Sequence, residues 1–183
     1  MLDEDPGWSI SWRSIGAVVV PGMLARTARR GEAGVDQLAV LRQLFLSFVF
    51  ALALFGVVLA VLYTEPVSQP LAVMPLLVGI VGISCLIAQR VFSRPLDLTS
   101  TASLASSYRT RFFLRMALGE TPALVGFVGF FLYDWWLYPL GLAFTAVGFA
   151  YAAPSVRNLA ADQERINAQG SGLRLVSVLR GTS

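Results

Sequence analysis

Leu44 to Tyr63 reads LFLSFVFALALFGVVLAVLY and carries no charged side chain. At 1.5 Å rise per residue, roughly 20 residues of helix reach across the ~30 Å hydrocarbon core of a bilayer. In hydrocarbon every backbone N–H and C=O must be satisfied within the protein, so such a run is read as a helix. The strict apolar/polar alternation of a barrel strand is absent. Three further runs share this character: 70–88, which ends at Gln89-Arg90; 112–133, with one acid, Glu120; and 135–153, which stops at Pro154. The expected fold class is an all-α integral membrane protein with four transmembrane helices. A cytoplasmic amphipathic N-terminal segment and a C-terminal helical tail flank them.

The connections assign an orientation. All basic residues of the chain are arginine. Arg13, Arg26, Arg29, Arg30 and Arg42 precede the first run, and Arg90, Arg94, Arg109, Arg111 and Arg115 lie between the second run and the start of the third. Arg157, Arg165, Arg174 and Arg180 follow the fourth. The segments 64–69 and Asp134 carry none. Arginine is retained on the cytoplasmic side, so both termini and the middle loop are expected there. Tyr63, Tyr133, Trp135, Trp136 and Tyr138 gather at the opposite end, where amphipathic rings prefer the interface. The all-arginine usage fits a GC-rich genome, and the expected location is the bacterial cytoplasmic (inner) membrane.

The chain divides on this reading into an interfacial segment 1–37, a four-helix domain 38–154 and a cytoplasmic tail 155–183. The start is acidic (Asp3, Glu4, Asp5), so no cleaved leader is expected. Residues 8–30 mix Trp8, Trp12 and aliphatic residues with arginines, which suits an interfacial helix. After Pro95 the middle loop is expected to continue as helix into the third run. Pro154-Ser155 opens a charged helix over Asn158 to Gln169 that Gly170 stops. The apolar cluster of Leu173, Leu175, Val176, Val178 and Leu179 could meet a partner, the membrane or the chain itself.

Composition removes much chemistry. Of 183 residues, 56% are hydrophobic and 14% charged, more apolar surface than a small soluble domain can bury. There is no histidine and no lysine, and Cys85 is the single cysteine. The commonest general base, Schiff-base chemistry, a disulfide framework and the usual zinc ligands are thereby excluded. No metal, cofactor or nucleic-acid partner is expected.

Glu120 is the one charge deep in an apolar run. An ionised acid at the centre of a spanning helix costs about 2.5–3.5 kcal/mol on insertion scales, so it should face protein, water or a counter-ion. It is the candidate ion or proton site, with Arg115, Ser84, Thr121, Pro122 and Thr145 as possible supporting residues. Gly119, Ala123 and Gly126 form a small-residue stripe suited to close helix contact, as do Gly79 and Gly82, and Gly141 and Gly148. Arg26, Arg29, Arg30, Arg94, Arg109 and Arg111 are candidate contacts for lipid headgroups or a partner.

The run Arg115-Met-Ala-Leu-Gly-Glu120-Thr-Pro-Ala-Leu-Val-Gly126-Phe-Val resembles the carboxylate helix of the rotary ATP synthase c subunit. Residues 70–88 with Gln89-Arg90 and Arg94-Pro95 look like the other arm of that hairpin. The resemblance implies a transported proton or sodium ion at Glu120 and covers only the second and third runs.

Three functions are expected in descending order. The first is a non-catalytic accessory or scaffold subunit of a larger membrane complex, meeting a protein partner or a second copy through helix faces. The second is a proton- or cation-handling subunit built on Glu120, which in the first reading would instead hydrogen-bond across the bundle. The third is an enzyme acting on lipid headgroups with Arg94, Asp97, Arg109, Arg111 or Asp162. Asp162 and Glu164 point to different faces of one helix, so they do not make an acid pair.

Overall fold

The computed structural model describes residues 36–63, 70–91 and 95–181. The interfacial helix expected over 8–30, Arg26, Arg29, Arg30 and Arg94 lie outside them. The described residues form six helices and no strand: α1 (Gln37–Val61), α2 (Met74–Val91), α3 (Thr101–Leu132), α4 (Leu137–Ala152), α5 (Val156–Ala168) and α6 (Leu175–Arg180). Three of these, α1, α2 and α3, are long and apolar enough to cross a bilayer. A fourth crossing exists by length only if α4 and α5 count as one span bent by 50°.

Local chemistry explains where the helices depart from the apolar runs. Asp36 accepts the Ala39 N–H at 3.0 Å and starts α1 well before Leu44. Ser100 takes the Ser103 N–H at 3.0 Å, so α3 begins at Thr101 and runs on through the apolar stretch. At 16 residues, α4 is shorter than the run that announced it. Asp134 accepts the Trp135 N–H at 2.7 Å in the turn before it, and Pro154 stands just after its end. Ser155 then caps α5 by accepting from Asn158 N at 3.3 Å.

The chain forms two compact units built from discontinuous segments. One contains the described residues among 36–48, 95–110 and 153–181. Its core is Leu38, Leu41, Leu104, Tyr108, Leu159, Ile166, Leu175 and Leu179. Of the tail's apolar cluster, Leu175, Val176, Val178 and Leu179 are buried here, so the chain itself covers them. Gln163 holds α6 in place: its Oε1 accepts from Leu175 N at 2.7 Å and its Nε2 donates to Leu173 O at 3.0 Å. Gly170 supplies the left-handed turn, φ 74°, that ends α5 as expected. The buried Arg42 donates from Nε to Pro154 O at 3.2 Å.

The other unit contains 49–63, 70–91 and 111–152. Here α3 and α4 form an antiparallel hairpin whose contact is made of glycine. A Cβ at Gly126 would lie 2.5 Å from Leu137 O and 3.3 Å from Gly141 Cα. One at Gly148 would lie 2.9 Å from Gly119 Cα, and one at Gly141 3.1 Å from Ala123 Cα. Gly82 of α2 sits under the Phe144 ring of α4, 2.5 Å from where its Cβ would be. Gly79 differs from the expectation. Nothing lies within 4 Å of a Cβ built there.

Gly141→Ala would force its methyl against the Pro122 carbonyl carbon at 3.0 Å, backbone that cannot swing aside. It is expected to lower stability by about 1–3 kcal/mol. Gly79→Ala should stay within about 0.5 kcal/mol of the parent. Thermal unfolding of both proteins in detergent checks this, and equal midpoints would contradict the contact.

Candidate functional site

The polar side chains of the apolar unit converge around the middle of α3. Pro122 lacks an N–H, which leaves Leu118 O without its helical donor and disturbs the ladder around it. The next amide, Ala123 N, turns to α4 and donates to Thr145 Oγ1 at 3.1 Å. Thr145 is 2% exposed and Ala123 fully buried, so this bond lies in the glycine contact itself. Thr145 thus gives the backbone beside the proline an acceptor on the facing helix.

One turn of α3 further toward its start, Gln89 of α2 enters the same seam. Its Nε2 donates to Arg115 O at 2.8 Å, and the side chain packs against Gly119 and Gly148, which leave room for it. Tyr138 ties α1 to α4 by donating its hydroxyl to Leu52 O at 2.5 Å. The Phe127 ring fills the space between, 5.5 Å from Phe55 and 6.3 Å from Tyr138.

Glu120 stands beside this seam and outside it. One residue past Gly119, it points about 100° round the helix from the face that meets α4. It is half-buried, and among the described residues no hydrogen bond or ion pair reaches it. The residues expected to support it are engaged elsewhere. Thr145 serves Ala123, and Thr121 donates to Ala117 O at 2.8 Å. Ser84 is exposed on α2. Arg115 is half-buried and Arg111 is 5% exposed, and each has its own interactions. Arg109 is exposed. The glycine and alanine positions 82, 119, 123, 126, 141 and 148 come together as one interface; Gly79 does not.

Two further places were not legible in the sequence. At the aromatic end, a cleft of about 590 Å³ opens between Gly56, Leu59, Tyr63, Phe130, Trp135 and Leu142, with no acid or base in its lining. At the other end of α2, Arg90 donates from Nη2 to Tyr151 OH and lies with its Cζ 4.9 Å from the Tyr151 ring centroid. Gln89 and Arg90 mark the end of an apolar run in the sequence, but nothing in the spacing shows that one turns inward and the other outward.

In the other unit the candidate polar groups are separate. Asp162 is 2% exposed and pairs with Arg165 at 2.8 Å. Asp97 is exposed and accepts from Thr99 N at 3.0 Å and Thr99 Oγ1 at 2.7 Å. The Thr99 amide first, and its hydroxyl second, hold the Asp97 carboxyl below the usual carboxylate range. That bonding makes Asp97 an anchor for the turn before α3. Among the described residues no three Cys, Asp or Glu side chains gather as metal ligands would.

Thr145→Val removes the acceptor while keeping the shape and strands the Ala123 N–H. A loss of about 1–2 kcal/mol is expected, with Thr145→Ser close to the parent. Denaturant titration in micelles reads the difference, and a Val variant as stable as the Ser variant would show that the bond does not matter. No family model matches this chain, and neither the curated proteins nor the solved structures include a match to it.

Proposed function

We propose that this chain is a four-span protein of the bacterial inner membrane, with both termini cytoplasmic, that acts as a non-catalytic accessory or scaffold subunit of a larger membrane complex. The observation that carries the reading is how buried polarity is used. Arg42, Gln89, Thr145 and Ser177 each bond to main-chain atoms, at Pro154 O, Arg115 O, Ala123 N and Arg174 O. The bonds of Arg42, Gln89 and Thr145 tie separate segments together, and that of Ser177 closes the start of its own helix. Complete sorting of arginine to one set of segments supports the orientation. The exposed apolar side chains of α1 and α2, such as Val57, Val61, Leu76 and Ile80, support contact with lipid or another subunit.

Extraction of native membranes in a mild detergent, followed by native gel electrophoresis and mass spectrometry, is the test. The chain is expected to migrate with larger partners in a fixed ratio. Recovery as a stable, isolated monomer from the same membranes would sink the subunit reading.

A second reading makes Glu120 the carboxylate of a proton- or cation-handling subunit. It rests on one specific observation: this acid stands half-buried in an apolar helix with no hydrogen bond or ion pair among the described residues. Glu120→Gln keeps the shape and removes the charge. In liposomes with an internal pH-sensitive dye, this reading expects flux from the parent and at least a tenfold loss in the variant. Equal flux, or none from either protein, removes it.

A further inference from the structure

The helices α2 and α4 run parallel in the apolar unit: Gly82 meets Phe144, Gln89 meets Gly148, and Arg90 meets Tyr151. On one flank of this contact, the furrow, both helices leave side chains exposed. Gly79, Ile83 and Arg90 share a face of α2 at spacings that return to the same side of a helix, and Val147 and Tyr151 do so on α4. Gly79 has no neighbour within 4 Å of its missing Cβ, while Ile83, Val147 and Tyr151 are 55%, 45% and 40% exposed. The furrow is apolar along its length and ends at a cation.

We infer that this furrow seats one anionic phospholipid, its acyl chain along Gly79, Ile83 and Val147 and its phosphate on the Arg90 guanidinium. The inference rests on the membrane-spanning reading above. Charge complementarity is the first argument. Arg90 is exposed, no carboxylate among the described residues pairs with it, and its bond to Tyr151 OH occupies one nitrogen of a planar fork. The rest of that fork matches the two free oxygens of a phosphodiester. The Tyr151 ring under the Cζ fixes the guanidinium, so little side-chain freedom is lost on binding. Dimension is the second argument. At 1.5 Å per residue the rise from Gly79 to Arg90 is about 16 Å, close to the roughly 15 Å depth of one leaflet's hydrocarbon. A partner helix laid in the furrow would bury Arg90 against apolar side chains, whereas a lipid brings its own anion to the place where the apolar lining stops.

The test titrates detergent-purified protein with phosphatidylglycerol or with phosphatidylcholine of identical chains and counts bound lipid by native mass spectrometry. The parent is expected to retain one phosphatidylglycerol in preference to phosphatidylcholine. Arg90→Gln should lower retention of phosphatidylglycerol about fivefold and leave phosphatidylcholine unchanged. Gly79→Leu, which fills the furrow, should reduce both. Three results would overturn the proposal: Arg90→Gln holding phosphatidylglycerol as tightly as the parent, an equal loss from Arg109→Gln, or a Gly79→Leu variant that alters oligomeric mass but not lipid retention. Carbonate extraction of membranes separates the two levels. Release of the chain there removes the membrane reading itself, whereas an embedded chain without lipid preference removes only the furrow site.

Discussion

Close approach of two helix backbones, α3 and α4, sets the conditions for the rest of the apolar unit. A single methyl at Gly126, Gly141 or Gly148 would collide with main chain of the facing helix, and one at Gly119 with the Gln89 and Phe149 side chains. Such proximity has no hydrophobic drive behind it in a lipid-like solvent and must be earned by packing and by interhelical hydrogen bonds. It also makes the Thr145–Ala123 bond possible, since a short side chain can reach a facing amide only when the axes are near. The proline that loosens α3 and the threonine that bonds the next amide therefore lie in one contact. Neither residue would be useful without the glycines.

The same proximity governs how α2 and α1 attach. Gln89 is long enough to bridge from α2 to Arg115 O because Gly119 and Gly148 leave it a slot. Were those positions larger, a buried amide would have no partner, at a cost of about 1–3 kcal/mol. The Gly82–Phe144 contact uses the opposite pairing, a vacancy on α2 filled by a ring from α4. Tyr138 extends the network to Leu52 of α1. Each contact joins a polar or bulky group on one helix to an absence of side chain, or to main chain, on another.

The contrast between what the sequence revealed and what it hid follows from this geometry. Length and apolarity of a run report the solvent of a helix, so 44–63, 70–88 and 112–133 foretold α1, α2 and α3. The early start of α1 was missed because a cap decides it: Asp36 extends the helix with polar residues that hydropathy discounts, whereas the helix expected after Pro95 does run into α3, from the Ser100 cap. The α4 segment is shorter than its run because Asp134 and Pro154 act on backbone and not on polarity. Small residues at helical spacing identified five interface glycines, yet Gly79 has the same spacing from Gly82 and faces open space. Periodicity gives a face, and only the neighbours say whether that face is covered. Gln89, Tyr138 and Gln163 were invisible for a related reason: each acts on main chain distant in sequence, and a carbonyl leaves no signature in a string of side chains.

Glu120 shows where this logic bears on function. An acid placed in the glycine seam would have had Thr145, Gln89 and disturbed carbonyls within reach, and its role would have been structural. Displaced by about 100°, it shares nothing with that network. The seam closes without it, so register between α3 and α4 does not require a carboxylate. A residue that costs free energy in apolar surroundings and returns no described contact is not explained by the packing of the described residues alone. Among the described residues the flank of α3 that carries Glu120 stays separate from the glycine contact.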